Sequence, residues 1–361
     1  MIGPTLGRYL TMRFGKTILA VFGTIFLLIY LIDFVEMLRR TGDIPGVTTA
    51  YVALLTLMRV PAVSEQILPF ATLGGAMVAF LGLTRKLELV VARAAGVSVW
   101  QFLAPPVLIV ALLGIFSVTV YNPISAHLKQ RADAIETKIF GRTGRSDSDT
   151  SLWIRQRSVD GQAIIRAEQS SDRGTQLGSV TAFVYDLEGR FMERVEAGKA
   201  RLDNGFWDLT DARIFTPGDE PRTSKNYLLA TNLTPEQVTQ SFVAPDAVPF
   251  WSLPELSRRT EAAGLDATGY RLKYQALLAR PLLLVAMVLI AAAFSLRFFR
   301  FGGISRMVSG GVTAGFVLYV ATKLVSDLGG AGLLSAPIAA WSPALVGSML
   351  GTLVLLHQED G

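Results

Sequence analysis

Arg39 and Arg40 stand directly after a long apolar run. Adjacent guanidiniums in that position either bind phosphate through charge-assisted hydrogen bonds or anchor the chain at a membrane interface. The run before them carries Phe22, Phe26 and Tyr30 at four-residue spacing, which is one helical face. Such a stripe serves either helix packing and lipid contact or the wall of an apolar cavity. A third candidate is the basic stretch from Thr84 to Gly96, TRKLELVVARAAG. As a helix it places Leu87, Val90, Val91 and Ala94 on one face, and Gly96 suits its stop. That helix either lies on the lipid surface or couples the chain to a cytoplasmic partner by docking into a groove. In the second case Glu88 meets an arginine or lysine opposite, a contact worth most when desolvated.

Other chemistry is poorly represented. Gly15-Lys16-Thr17 imitates the end of a phosphate-binding loop, but the position that must hold the earlier glycine is Leu10. No G-x-S-x-G elbow is present. The two histidines, His127 and His357, lie far apart, and there is no cysteine, so thiolate metal sites and disulfides are excluded. Ionisable residues near the apolar runs, namely Asp33, Arg59, Glu65, Arg280, Lys323 and Asp327, need partners or water. Lys323 and Asp327 are spaced to neutralise each other. The sequence thus points away from an enzyme, with no catalytic residues, no metal site and no cofactor expected.

The elements that must position these residues follow from composition. Of 361 residues, 51% are hydrophobic and 17% charged, against about a quarter charged in ordinary soluble domains. Mean hydropathy is +0.42. The net charge of +5 reflects the charge asymmetry of membrane proteins rather than nucleic-acid binding. Residues 1–16 lack the pattern of a cleavable signal. Six stretches are long enough to span, at 1.5 Å rise per residue across about 30 Å of hydrocarbon. They are Thr17 to about Leu38, Ile67–Leu83 (preceded by an interfacial Tyr51–Met58), Val97–Tyr121, Leu277–Leu296, Met307–Ser326 and Pro337–Leu356. Gly311 with Gly315, and Gly347 with Gly351, have the spacing that lets helices approach closely in lipid.

Between the third and fourth runs the pattern changes to short alternating segments: Ser151–Arg157, Gln162–Ala167, Ser179–Leu187, Phe191–Leu202, Phe206–Phe215 and Tyr227–Thr231. Glu188-Gly189-Arg190 and Asn204-Gly205 read as hairpin turns. A polar helix over Ser252–Ala263, stopped by Gly264, follows. Lys and Arg counts put the amino terminus, the loop of Arg85, Lys86 and Arg93, and the loop of Arg297, Arg300 and Arg306 in the cytoplasm. The expected fold is an α-helical polytopic membrane protein of six transmembrane helices with an inserted periplasmic all-β, jelly-roll-like domain. Residues 1–121 hold spans one to three and the coupling helix, 122–269 the β domain with a helical connector, and 270–361 spans four to six.

The strings DFVEMLRRTG (33–42), ELVVARAAGVS (88–98), TNLTPEQV (231–238), PDAVPFWSLPEL (245–256) and RPLLLVAMVLIAAAFSLR (280–297) occur in order over nearly the whole chain. Taken together they resemble the lipopolysaccharide export permeases, the YjgP/YjgQ family, on its LptG rather than its LptF branch. The resemblance implies an inner-membrane permease of an ABC transporter in a Gram-negative bacterium. It would pair with an LptF-like subunit and be driven by two LptB-like ATPases. Lipopolysaccharide would pass by way of LptC-like and LptA-like proteins toward the outer membrane. On this sequence the implied ATPase-coupling set is Arg85, Leu87, Glu88 and Val91. The implied lipid-contact set is Arg39, Arg40, Phe26, Tyr30, Phe316 and Tyr319. The chain departs from the family pattern at Asp33, where a lysine is usual. An LptF-type role, a lipid-processing membrane enzyme and a scaffold are the competing readings.

Overall fold

Among the described residues, six helices are long and apolar enough to cross a membrane, with a six-stranded antiparallel sheet in the chain between the third and fourth. The computed structural model describes residues 3–42, 44, 46–140, 152–158, 161–171, 174–235, 238, 243–262, 266–299 and 304–360. Helix α1 spans Pro4–Thr41, α2 Thr49–Arg85 and the short α3 Glu88–Ala94. Helix α4 (Val99–Phe116) runs through a π-helical turn, Ser117–Tyr121, into α5 (Asn122–Phe140). After the strands come α6 (Leu253–Ala262), α7 (Thr268–Phe299), α8 (Ile304–Gly330) and α9 (Ala336–Asp360). The helices outrun the apolar stretches because backbone hydrogen bonding continues wherever no breaker intervenes.

Two helices are longer than the apolar runs that predicted them. Tyr51–Met58 is continuous with the second run in α2, since Pro61 and Pro69 are accommodated inside one helix. Ser64 Oγ lies 3.0 Å and Tyr121 Oη 3.2 Å from the Pro61 carbonyl, and the two hydroxyls stand 2.7 Å apart. The helix of the third span runs on past Tyr121 to Phe140. Two compact units result: one of residues 1–139, 246–253 and 271–361, the other of residues 140–245 and 254–270. Of the remaining expectations, Gly264 and Arg300 lie outside the described residues.

The helical unit is held by close backbone approach. A Cβ added at Gly75 would stand 2.5 Å from the Ile18 Cα, and one at Gly114 2.6 Å from the Pro281 Cα, so α1 meets α2 and α4 meets α7 at glycines. Gly311 and Gly315 of α8 receive Met77 and Leu73 of α2; Gly347 and Gly351 of α9 receive Leu318 of α8 and Leu289 of α7. Phe14 and Phe80, both buried, meet edge to face at 4.8 Å.

Charge is also buried here. Glu65 of α2 pairs with Arg280 of α7 and accepts from Asn122 Nδ2 (2.9 Å) and Ser125 Oγ (3.2 Å) of α5. Asn122 Oδ1 in turn accepts the Phe250 backbone N–H at 2.9 Å, fixing the segment that re-enters this unit. Nearby, Lys273 reaches Asp246 at 2.5 Å. Burial opposes charge on Asp246, but the ammonium outweighs it and holds the carboxyl below its ordinary range. That contact therefore contributes stability above the ordinary carboxylate pKa and loses it only as pH falls through the lowered value.

The β unit is a meander of β1 (Leu152–Ser158), β2 (Gly161–Ser171), β3 (Gln176–Tyr185), β4 (Phe191–Asp203), β5 (Phe206–Phe215) and β6 (Arg222–Ala230), each paired with its neighbour in the chain. The ladder skips Glu168, Ser179, Gly198 and Asp211, which align across the sheet. Ser179 (φ 50°) and Asp211 (φ 57°) take left-handed backbone there. Along this crease the buried positions change parity, from Leu177, Ala200, Leu202, Trp207 and Leu209 on one side to Val180, Ala182, Val195, Ala197 and Ala212 on the other. The sheet is thereby creased, and the expected all-β domain is present as a six-stranded antiparallel meander with its buried positions on both sides of the crease. Gln156 satisfies the core's polar groups, accepting from Trp207 Nε1 (3.1 Å) and Thr231 Oγ1 (2.6 Å). Gly189 (φ 81°) and Gly205 (φ 90°) make the two expected turns.

Two stability predictions follow from these contacts. Arg280→Met strands the Glu65 carboxylate and is expected to destabilise the protein in detergent by about 3–5 kcal/mol, whereas Lys323→Met, from an exposed pair, costs under about 1 kcal/mol. Gly75→Ala pushes against backbone and is expected to cost about 1–3 kcal/mol, while Gly74→Ala, 3.7 Å from a Val21 side chain, is tolerated. Thermal melts of the four purified variants check both contrasts.

Candidate functional site

The basic stretch predicted as one helix is broken in two. Arg85 ends α2, exposed, and the chain then turns through Lys86 and Leu87 before α3 begins at Glu88. Leu87 has φ 58°, a left-handed conformation that costs a non-glycine residue roughly 1–2 kcal/mol. Burial of Leu89 and the Leu87 N–H bond to the Thr84 carbonyl (3.0 Å) hold it there. The turn points Leu89 into the core while Leu87, Val90, Val91 and Ala94 stay exposed, so the expected apolar face exists and is uncovered within the chain. At the far end Gly96 (φ 83°) closes the helix, with Val97 N–H donating to the Ala92 carbonyl at 3.1 Å.

Glu88 is not free within the chain. Tyr9 Oη donates to it at 2.8 Å and Arg13 Nη1 contacts both its oxygens at 3.3 Å, while Arg13 also reaches the Tyr9 hydroxyl. Gly82 leaves space for this arrangement, since a Cβ there would meet Arg13 Nη2 at 2.7 Å. Sequence spacing gave no sign of the contact, which joins residues 75 apart. A lone carboxylate beside an apolar helical face was the one signal that a cation had to lie close.

At the other end of α1, Arg39 and Arg40 are exposed, and both engage Glu36, at 3.0 and 2.7 Å. The predicted cationic pair therefore carries a built-in counterion that the sequence reading missed, although 36, 39 and 40 share one helical face. Asp33 lies 3.6 Å from Arg59, which also binds Glu136 at 2.5 Å. The second Asp33 oxygen, Oδ2, is buried without a hydrogen-bond partner among the described residues.

The aromatic stripe is half-buried rather than fully lipid-facing. Phe26 sits 6.3 Å from Phe22, which meets Tyr121 edge to face, and Tyr30 stacks on Phe34 while donating to the Ala53 carbonyl of α2 at 3.4 Å. The open face of α1 is aliphatic instead: Leu19, Leu27, Leu28, Leu31, Ile32 and Val35. On α8, Phe316 is exposed and Tyr319 lies 4.9 Å from Phe70 of α2. Tyr30 of α1 and Tyr319 of α8 thus both meet α2, whereas Phe316, Arg39 and Arg40 are exposed and the Arg85–Val91 group forms a separate cluster.

A family model described as lipopolysaccharide export system permease LptF/LptG matches residues 8–357. Lipopolysaccharide export system permease protein LptG of Escherichia coli (strain K12) is 25% identical over 338 residues, covering 90% of each chain. The protein of the same name from Haemophilus influenzae is 23% identical over 367 residues, covering 98% of this chain and 96% of its own. Six apolar helices, a β domain inserted in the chain between the third and fourth, and a match running almost end to end lead to one assignment: this multi-pass membrane chain belongs to the lipopolysaccharide export system permease LptF/LptG family.

Proposed function

We propose that the chain is a permease subunit that extracts lipopolysaccharide from the outer leaflet of the inner membrane of a Gram-negative bacterium. In this reading an LptF-like subunit completes the membrane unit, and two LptB-like ATPases bind its cytoplasmic face. LptC-like and LptA-like proteins receive the lipid beyond the β domain. The names of the relatives, both LptG, favour that branch over an LptF-type role. The observation that carries the reading is α3, a short helix whose outward face of Leu87, Val90, Val91 and Ala94 is apolar beside a positioned carboxylate.

The energetics call for such a device. Withdrawing a multi-acyl lipid exposes chains at about 0.8 kcal/mol per methylene, far beyond what a passive carrier can absorb. An apolar wall, supplied by the open faces of α1 and α8, lowers that cost, and nucleotide hydrolysis on another subunit supplies the remainder. Arg85, Leu87, Glu88 and Val91 are assigned to the ATPase contact. Arg39, Arg40, Phe26, Tyr30, Phe316 and Tyr319 are assigned to the lipid. The amino terminus and α3 face the cytoplasm and the β unit the periplasm. In this scheme spans one to three with α3, the inserted β domain with its connector, and spans four to six are the functional sections.

Two predictions test the assignments. Glu88→Lys places a cation against Arg13 and against a partner cation, and is expected to abolish co-purification of the ATPase in mild detergent; full retention of both ATPase and export in cells contradicts the α3 assignment. Replacing Arg39 and Arg40 with glutamate is expected to weaken lipopolysaccharide binding and flatten its salt dependence. Glu36→Gln, which frees both guanidiniums, is expected to tighten binding and steepen that dependence. Binding titrations at several salt concentrations that give three identical slopes remove these residues from the headgroup contact.

A further inference from the structure

We propose that Arg13 is a positioning residue for Glu88, and that the Tyr9–Arg13–Glu88 cluster ties the docking helix α3 to the lipid-facing span α1. The inference rests on the proposed function, because it takes α3 to be where an ATPase subunit docks.

Helix α3 is not a rigid extension of α2. The left-handed Leu87 separates them, so α3 meets α2 at a sharp turn and through the buried Leu89 rather than as one continuous helix. The polar tether runs elsewhere. Tyr9 and Arg13 lie one turn apart on α1, and both bind the carboxylate of the first α3 residue, through one contact of 2.8 Å and two of 3.3 Å. The Arg13 and Glu88 side chains are 20% and 32% exposed, so solvent screens their pair less than an open surface contact.

The tether has a built socket. The Arg13 guanidinium passes over Gly82, where any larger residue would bring a Cβ to 2.7 Å of its Nη2. Bare backbone at that position of α2 lets a cation on α1 reach α3. Glu88 also keeps unused acceptor capacity, since a carboxylate offers about four lone-pair directions. A cation from the partner can therefore join the carboxylate without displacing Arg13.

The other end of the tether is the informative one. Helix α1 runs unbroken from Pro4 to Thr41 and carries Arg39 and Arg40 in its last turn, about 39 Å along the axis from Arg13. Between them lies its exposed aliphatic face. Displacement of α3 is thus delivered to a continuous rod whose middle contacts lipid acyl chains and whose end holds the candidate headgroup cations. On this account Arg13 governs how much lipid moves per nucleotide hydrolysed, rather than whether the ATPase binds.

The test uses the complete complex, affinity-purified through this chain and reconstituted into vesicles containing lipopolysaccharide. ATP hydrolysis (kcat and KM) and lipid released per ATP are both measured. Arg13→Gln is expected to lower lipid released per ATP by at least about fivefold while KM for ATP changes by less than about twofold. Arg13→Lys, which restores a cation, is expected to recover most of the loss. Wild-type lipid release per ATP in Arg13→Gln, or a lysine variant no better than glutamine, overturns the inference. Absence of any ATPase from the wild-type preparation overturns the underlying functional reading, and this inference with it.

Discussion

The helical unit is organised by one constraint: every charge carried into an apolar helix bundle must find a partner there. The Glu65–Arg280 pair is where that constraint is most severe, with both side chains largely withdrawn from solvent. Two long-range links meet at this carboxylate. Arg280 brings α7 against α2, and Asn122 with Ser125 brings α5 against the same residue. Asn122 passes the connection on to the Phe250 backbone, so the segment returning from the inserted region is fixed by the same centre. Alone, such a pair gains little over apolar packing, but removing one member leaves a charge with nowhere to go. The π-helical turn at Ser117–Tyr121 lies in the same neighbourhood, Ser117 Oγ accepting from Arg280 at 3.4 Å and Tyr121 Oη contacting Ser64 Oγ at 2.7 Å. Side chains also meet the backbone there, Trp251 Nε1 donating to the Thr119 carbonyl at 3.3 Å and Thr119 Oγ1 to the Ile115 carbonyl at 2.9 Å.

The two ends of the helical unit treat charge differently. Near Glu65 the aim is neutrality and fixity. At the ends of α1 the carboxylates Glu36 and Glu88 sit half-exposed, each holding more than one partner, and each retains access to solvent. Such groups remain able to take an additional ligand, whether a phosphate-bearing lipid competing for Arg39 and Arg40 or a protein cation joining Glu88. The departure at Asp33 fits that pattern. Its contact with Arg59, itself bound to Glu136, makes the region beside the arginine pair close to neutral rather than strongly cationic. In the proposed reading, headgroup binding depends on displacing Glu36 more than on a standing positive field.

Much of the architecture was legible because lipid leaves few options for a spanning chain. Long apolar runs marked the six spanning helices, and short alternating segments, two of their turns at glycines, marked the six strands among the described residues. Helix ends were not legible, since nothing in the polar flanks stops a helix at Thr17 or Tyr121. Nor was the crease of the sheet: alternation assumes a flat strand, and Val195 and Ala197 followed by Ala200 and Leu202 only make sense once the strand bends at Gly198. In the candidate site, the apolar face of α3 was readable from its spacing. The contacts that give it meaning were not, because Arg13 to Glu88 spans 75 residues and Glu65 to Arg280 spans 215. Local spacing rules reach only a few residues.

The central proposal is that this chain supplies an apolar path and a docking helix while the driving force comes from a nucleotide-hydrolysing partner. The most direct measurement compares ATP-dependent release of lipopolysaccharide from vesicles holding the purified chain alone with release from vesicles holding the complex isolated through it. The account predicts no release by the chain alone and ATP-dependent release by the complex. Release by the isolated chain, with no hydrolase present, contradicts it.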